Sequence, residues 1–248
     1  MLKVIFMAKE TESSKAALKY LVNTDIEIVR AVIRKNDEVM RTICSEYNIA
    51  TCTESDLLSD YKENKLIVDY ILSFYWKKIN QEVLNIPVKG SINFHPGPLP
   101  EARGSGYHMA ILENWGYWGV TAHFMDAEFD TGPIIECRRF EIDKKIINKD
   151  LVDMAHKQLY LLFISIIYQI KQGNKLETIA QKDGRYFSLK DLENRKLILD
   201  SDSDMMIERK IRAFWNPPHS GAQIKINDKM YTLIDQKILE WIANKINL

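Results

Sequence analysis

The sequence predicts an α/β fold: a doubly wound, mostly parallel, Rossmann-like sheet over residues 1–174, with a small β-rich C-terminal subdomain over 175–248. Three observations predict it. Near-continuous apolar runs of strand length recur at Leu2–Ala8, Ile26–Ile33 and Leu66–Leu72, and such runs mark strands covered on both faces. Helical spacing occupies the stretches between them, the arrangement of a parallel sheet with crossover helices. After Gly173 the texture changes to short strands and turns.

Taken in order, Leu2–Ala8 is a β-rich strand, and Thr11-Glu-Ser-Ser14 can cap a helix carrying Ala17, Leu18, Leu21 and Val22 at helical spacing. Ile26–Ile33 is the second strand and Asp37–Tyr47 a helix. Leu66–Leu72 is the third strand, apolar apart from Asp69. Ser91–Phe94 is a short strand stopped by Pro96, and Tyr107–Asn114 reads as a helix after the Gly104–Gly106 turn. Trp118–Met125 and Pro133–Phe140 are strands flanking the loop Asp126–Gly132, and Lys149–Lys171 is a long apolar-rich helix. Short strands and turns follow through Tyr186–Leu199 and Gln223–Leu233.

Composition narrows the function. With 248 residues, 46% hydrophobic and 27% charged, the chain can bury a sizeable core. Its 34 basic and 34 acidic residues balance, which argues against a dedicated nucleic-acid binder. Three scattered cysteines without C-x-x-C spacing suggest reduced thiols and a cytoplasmic protein. Leu2–Ala8 is too short for a leader, and Leu159–Ile167 is shorter than the ~18 residues that span a bilayer, so no membrane role is expected.

Asn93 and His95 lie two residues apart at a strand end and project from one face. In open α/β sheets the ligand crevice lies at the carboxyl ends of strands. Histidine is a proton acceptor that works near neutral pH, and an asparagine amide is a fixed donor for a carbonyl oxygen gaining charge. Asp130, in a Gly-bounded loop, could orient the histidine or take a proton. The trio suits acyl transfer to an external nucleophile, since no G-x-S-x-G elbow accompanies it. By spacing alone the pair reads more readily as a structural polar pair than as a catalytic one, and Asp130-Thr131-Gly132 as a turn.

The longer pattern decides between those readings. Asn93-Phe-His-Pro-Gly-Pro-Leu-Pro100, Arg103-Gly104 and Met125-Asp-Ala-Glu-Phe-Asp-Thr-Gly-Pro133 resemble the folate-dependent formyltransferase family. That family includes methionyl-tRNA formyltransferase, glycinamide ribonucleotide transformylase and the nucleotide-sugar N-formyltransferases. The resemblance covers roughly residues 1–200 and implies catalytic roles for Asn93, His95 and Asp130. The usual H-x-S-L-L-P stands here as His95-Pro-Gly-Pro-Leu-Pro100, altering the backbone beside the trio.

The resemblance further implies N10-formyltetrahydrofolate as co-substrate. The reduced folate would be held by Phe74, Tyr75, Trp76, Lys77, Lys78 and Ile79, together with Met125, Asp126, Ala127, Glu128 and Phe129, largely through backbone contacts. Packing aromatics are the alternative reading for the rings.

Among acceptors, a methionyl-tRNA enzyme would carry a further C-terminal domain and basic surfaces. A ribonucleotide enzyme would open with a Gly-rich phosphate loop, where this chain has Met7-Ala-Lys-Glu-Thr-Glu-Ser-Ser14. Arg185–Leu192 and Ile211–Ala222 instead resemble segments of the sugar N-formyltransferases. Their acceptors are nucleotide-linked amino-dideoxysugars, with a dTDP-4-amino-4,6-dideoxyglucose-like substrate expected, for cell-surface polysaccharide or O-antigen synthesis. Phe214 and Trp215 could stack a base, Lys9, Arg103 or Arg212 could meet a pyrophosphate, and Tyr107 could touch the sugar. His108, His123 and His156 read as structural or surface histidines, and no metal is expected because their spacing fits no common zinc pattern. A homodimer through the C-terminal region is the family's expectation. A ribonucleotide-amine formyltransferase and a non-catalytic folate- or nucleotide-binding protein are the alternatives.

Overall fold

The computed structural model describes residues 1–75 and 77–246. The chain opens with β1 (Lys3–Ala8), α1 (Glu12–Leu21), β2 (Glu27–Ile33), α2 (Glu38–Glu46), β3 (Thr51–Cys52) and α3 (Glu54–Lys62). It continues through β4 (Tyr70–Phe74), α4 (Gln81–Leu84), β5 (Gly90–His95), β6 (Arg103–Gly104), α5 (Tyr107–Leu112), β7 (Tyr117–Phe124), β8 (Ile134–Glu141) and α6 (Asn148–Lys171). The last stretch holds β9 (Tyr186–Phe187), α7 (Leu189–Arg195), α8 (Asp204–Phe214), β10 (Gln223–Ile226), β11 (Lys229–Thr232) and α9 (Gln236–Ile246).

The seven-stranded sheet has the order β3-β2-β1-β4-β5-β7-β8. Its pairs are parallel from β3 to β5, and β7 then runs antiparallel to β5. The chain winds outward from β1 in one direction and from β4 in the other, so the topological switch point lies between those two strands. Ligand crevices form at the carboxyl ends there. This is the doubly wound α/β sheet that the apolar runs predict.

Local chemistry explains the starts of the helices. Thr11 caps α1 by accepting from the Ser14 amide while Ser14 reaches back to the Thr11 amide, a closed capping box. Thr53 and Asp56 do the same for α3. The β3–α3 stretch is not legible as structure in the sequence, because α3 buries only Leu57 and so has no apolar stripe. The run Leu66–Leu72 joins the ladder only at Tyr70. Leu66 and Val68 still pack in the core, while Asp69 turns aside to accept from the Lys3 amide and pair with Lys89.

Residues Met1–Arg103, Gly119–Arg138 and Ala155–Gly184 form one compact unit, and Gly104–Trp118, Arg139–Met154 and Arg185–Leu248 a second. In the second unit β10 and β11 make the expected antiparallel hairpin, with Asn227 and Asp228 both left-handed at its tip. Helices accompany it: the stretch Tyr186–Leu199, read as short strands and turns, holds a two-residue strand and then α7, started by a Ser188 cap on the Asp191 amide.

In the first unit the core beneath the site is aromatic. Phe163 on α6 lies 5.5 Å from the Phe74 ring and 4.9 Å from the Phe94 ring, and Phe74 stacks on Phe94 at 5.0 Å. By length and composition α6 could cross a membrane. Its residues Leu151, Ala155, Leu159, Leu162, Phe163, Ile166 and Ile170 are buried at helical spacing, the stripe of a core helix. Phe94 lies between Asn93 and His95 in the chain, so this cluster is the floor on which those two side chains stand. Phe163→Ala is expected to lower unfolding stability by about 3–5 kcal/mol in urea titrations; a change below about 1 kcal/mol would show that α6 is not the lid of this core.

Candidate active site

The site begins with the pairing of β5 and β7. Their antiparallel register sets Asn93 opposite His123 and His95 opposite Thr121. Period-two alternation puts these four residues on one face, away from the Phe94 ring. Asp130 arrives from the loop between β7 and β8. Its backbone is left-handed, with φ of 55°, a conformation aspartate tolerates better than most residues and one that concentrates at functional sites.

The loop has little choice about where it lies. A Cβ on Gly132 would sit 1.9 Å from the Phe124 carbonyl oxygen, so only glycine fits. The Gln181 amide donates to the carbonyls of Asp130 and Gly132 at 2.9 and 2.6 Å, and its oxygen accepts from Arg103 at 3.1 and 3.3 Å.

These constraints bring the three expected groups together. Asp130 Oδ2 lies 3.4 Å from His95 Nδ1, and Asp130 Oδ1 lies 3.4 Å from Asn93 Nδ2. A fourth group joins them: His123 Nε2 is 3.2 Å from Asn93 Nδ2 and 3.6 Å from Asp130 Oδ1. All four side chains are buried. The sequence reading set His123 aside as structural or surface; only the antiparallel register reveals its place. His156 does play a structural part, meeting Ser13 at 2.9 Å.

Each imidazole is anchored by a backbone carbonyl. His95 Nε2–H donates to the Ala102 carbonyl at 2.8 Å, and His123 Nδ1–H donates to the Phe124 carbonyl at 2.8 Å. Burial holds the His95 pKa below the usual histidine value, against the opposing pull of Asp130 and of the Ala102 carbonyl. His95 is therefore a neutral base at pH 7, with its lone pair on Nδ1 turned toward Asp130. Gly97 makes the anchor possible. A Cβ there would lie 2.6 Å from His95 Nε2 and 3.0 Å from the Ala102 oxygen, which explains glycine where the family pattern has serine.

A small cleft opens on this cluster, lined by Tyr75, Lys77, Lys78, Met125, Glu128 and Phe129 beside Asn93, His123 and Asp130. Lys78 and Glu128, 3.0 Å apart, join the two lining segments. Of the residues offered to the folate, Phe74 and Ile79 turn their side chains into the core, which corrects any reading of them as ring contacts and leaves their backbone. Asp126 accepts from Thr131 and from the Glu128 amide, shaping the loop, and Ala127 is exposed. Trp76 lies outside the described residues.

The residues offered to the acceptor divide between the units. In the first, Lys9 is half-buried at the carboxyl end of β1, its ammonium held below the lysine range by burial and by Arg34. Arg103 braces the Asp130 loop through Gln181, a role its sequence position does not suggest. In the second, Arg212 is a correction: its guanidinium is buried, donating to Glu208 and to the Ile146 carbonyl, because a desolvated cation needs such partners. Phe214 is buried too, 5.0 Å from the His108 ring, and so packs rather than presenting a face. Trp215 is half-buried and edge-on to Trp241, and Tyr107 stacks on Trp118 at 5.2 Å. The buried Cys44 thiol and the half-buried Cys52 thiol are pushed up to about 11, far from nucleophilic range.

Two predictions follow from these contacts. Gln181→Leu strips the partners from the Asp130 and Gly132 carbonyls and should lower stability by about 1–3 kcal/mol, with Gly132→Ala worse; denaturation at wild-type midpoint for both variants would contradict the loop account. Burial pushes the His108 pKa to about 4. The unfolded chain then binds the proton first, so stability present above pH 6.5 is lost as pH falls toward 4, by an amount on the order of 3 kcal/mol. Thermal melts between pH 7.5 and 4.5 should fall less steeply for His108→Gln, and parallel curves would refute it.

With this geometry in hand, comparison with known proteins is informative. The formyl transferase family pattern matches residues 3–167. The methionyl-tRNA formyltransferase of Wolbachia sp. subsp. Drosophila simulans is 29% identical over 205 residues, 79% of this chain and 64% of that protein. The GDP-perosamine N-formyltransferase of Brucella melitensis is 29% identical over 165 residues, 66% of this chain and 63% of that protein. The chain thus spans less than two thirds of the length of these curated relatives. In fold it is similar to the N-formyltransferase from Helicobacter canadensis in complex with folinic acid and dTDP-3-aminofucose, with TM-score 0.73, 24% identity, and coverage of 92% of this chain and 85% of that one. Family pattern and site geometry agree: the chain belongs to the formyl transferase family.

Proposed function

We propose that the protein transfers a formyl group from N10-formyltetrahydrofolate to the amine of a nucleotide-linked amino-dideoxysugar. The observation that carries this reading is the convergence of an amide, an imidazole and a carboxylate, with Asp130 within 3.4 Å of both Asn93 and His95, and with Asn93 and Asp130 lining one cleft.

The cleft suits a reduced folate. Tyr75, Met125 and Phe129 offer apolar walls, and the buried Asn93 Oδ1 has no hydrogen-bond partner among the described residues. The folate supplies a formyl carbon whose leaving group is an amine nitrogen. The chain's residues supply the rest. Both hydrogens of Asn93 Nδ2 are committed to His123 and Asp130, so the amide atom left for a ligand is an acceptor, suited to an N–H of the attacking amine. The new carbon–nitrogen bond places a surplus proton on that nitrogen. Asp130 and the Nδ1 lone pair of His95 take it, and the same proton can neutralise the departing folate nitrogen as its bond to the formyl carbon breaks. Holding these groups in place replaces the loose encounter of two solutes.

For the acceptor, the Brucella relative is named for a GDP-linked amino sugar and the Helicobacter structure holds a dTDP-linked one. Lys9, at the carboxyl end of β1, is the cation we assign to the diphosphate. A dTDP-4-amino-4,6-dideoxysugar acceptor would place this cytoplasmic enzyme in surface-polysaccharide or O-antigen synthesis. The Wolbachia relative favours a second reading, transfer to methionyl-tRNA; the balance of 34 basic and 34 acidic residues weighs against it.

The test is incubation with N10-formyltetrahydrofolate and a panel of amines: dTDP- and GDP-linked 3-amino and 4-amino sugars, a glycinamide ribonucleotide, methionyl-tRNA, and none. Tetrahydrofolate should appear mole for mole with loss of a sugar amine. Asn93→Ala should lower turnover ~10²-fold by loosening the placement of the amine and His95→Ala ~10²–10⁴-fold, with both proteins folded. Formate release without an amine, or consumption of methionyl-tRNA alone, would contradict the assignment.

A further inference from the structure

We propose that His123 is a positioning residue: it fixes which end of the Asn93 amide meets a ligand. The inference deepens the formyl-transfer reading and rests on it, but its geometry stands by itself.

The argument starts from the Phe124 carbonyl. A carbonyl only accepts, so the His123 nitrogen 2.8 Å away must carry the hydrogen, and that nitrogen is Nδ1. In the neutral ring Nε2 is then bare. The atom facing it at 3.2 Å has to be a donor, which assigns that end of the Asn93 side chain as Nδ2 rather than Oδ1. The opposite orientation would push the amide oxygen against both a lone pair and the Asp130 carboxylate. Without His123, the carboxylate 3.4 Å away would be the one remaining partner holding Nδ2 inward.

His95 repeats the logic as a near mirror image. Its Nε2–H is given to Ala102, so its bare Nδ1 faces Asp130 Oδ2 at 3.4 Å, while the bare Nε2 of His123 faces Oδ1 at 3.6 Å. Two imidazoles thus stand against the one carboxylate, each with its hydrogen-bearing nitrogen turned away to a backbone carbonyl. The groups facing His123 are Asn93 and His95 from β5 and Asp130 from its loop, while Lys77, Lys78 and Glu128 line the same cleft.

Two substitutions separate the roles. His123→Gln keeps an oxygen that can accept from Asn93 Nδ2 but cannot titrate; His123→Leu does neither. In the formyl-transfer assay, His123→Leu should lower kcat ~10²-fold with little change in KM for the folate. His123→Gln should recover at least about tenfold of that loss. Imidazole nitrogen NMR on the wild-type protein should show His123 protonated at Nδ1 and His95 at Nε2. A His123→Leu variant that folds and matches wild type in rate would overturn the proposal, as would a His123→Gln variant no faster than His123→Leu or a His123 ring protonated only at Nε2. The NMR result decides even where His123→Leu fails to fold. Absence of any transfer by the wild-type protein would instead overturn the proposed function, leaving the tautomer measurement to judge the geometry.

Discussion

The structure of this site depends on the desolvation of one carboxylate. Asp130 is 9% exposed, and a lone carboxylate so placed would cost several kcal/mol. The groups around it fix how it lies. An amide hydrogen from Asn93 points at one oxygen, and an imidazole stands against each side. The backbone carbonyls of Ala102 and Phe124 fix which nitrogen each imidazole turns inward. The left-handed turn at Asp130, the obligatory glycine at 132 and the Gln181–Arg103 brace hold the carboxylate against its tendency to swing out to water.

The fold serves that arrangement. A parallel sheet delivers β4 and β5 with their carboxyl ends side by side, and the single antiparallel strand β7 brings a second row of side chains alongside β5. An all-parallel sheet would have needed another crossover before a residue could face Asn93. The loop leaving β7 reaches back to the same place within six residues of Phe124. Beneath, the packed Phe74, Phe94 and Phe163 rings stiffen both strands, so the geometry of the site inherits the rigidity of the core.

Much of this was legible in the sequence, for reasons that differ by element. β1, β2 and α6 announce themselves through unbroken or periodic apolar residues, because their environments are buried along most of their length. β3 and α3 do not, since they lie at the sheet edge with one buried side chain in the helix. Asn93, His95 and Asp130 stand out through the resemblance of the motifs around them, Asn93–Pro100 and Met125–Pro133, to those of the formyltransferase family. His123 carried no such frame. Its role comes from a cross-strand register, and a register is a property of two strands that neither states alone. Arg212 and Phe214 were misjudged for the converse reason: a cation and an aromatic ring look like ligands for a nucleotide until burial shows them occupied.

The central claim is that a folate places its formyl-bearing nitrogen against Asn93 and the Asp130 group. A crystal structure of the protein with folinic acid tests this most directly. The account predicts the pterin ring in the cleft between Tyr75–Lys78 and Met125–Phe129, with the formyl-bearing edge within hydrogen-bond reach of the Asn93 side chain. Density for the folate at any other place on the molecule, with this cleft empty, would contradict it.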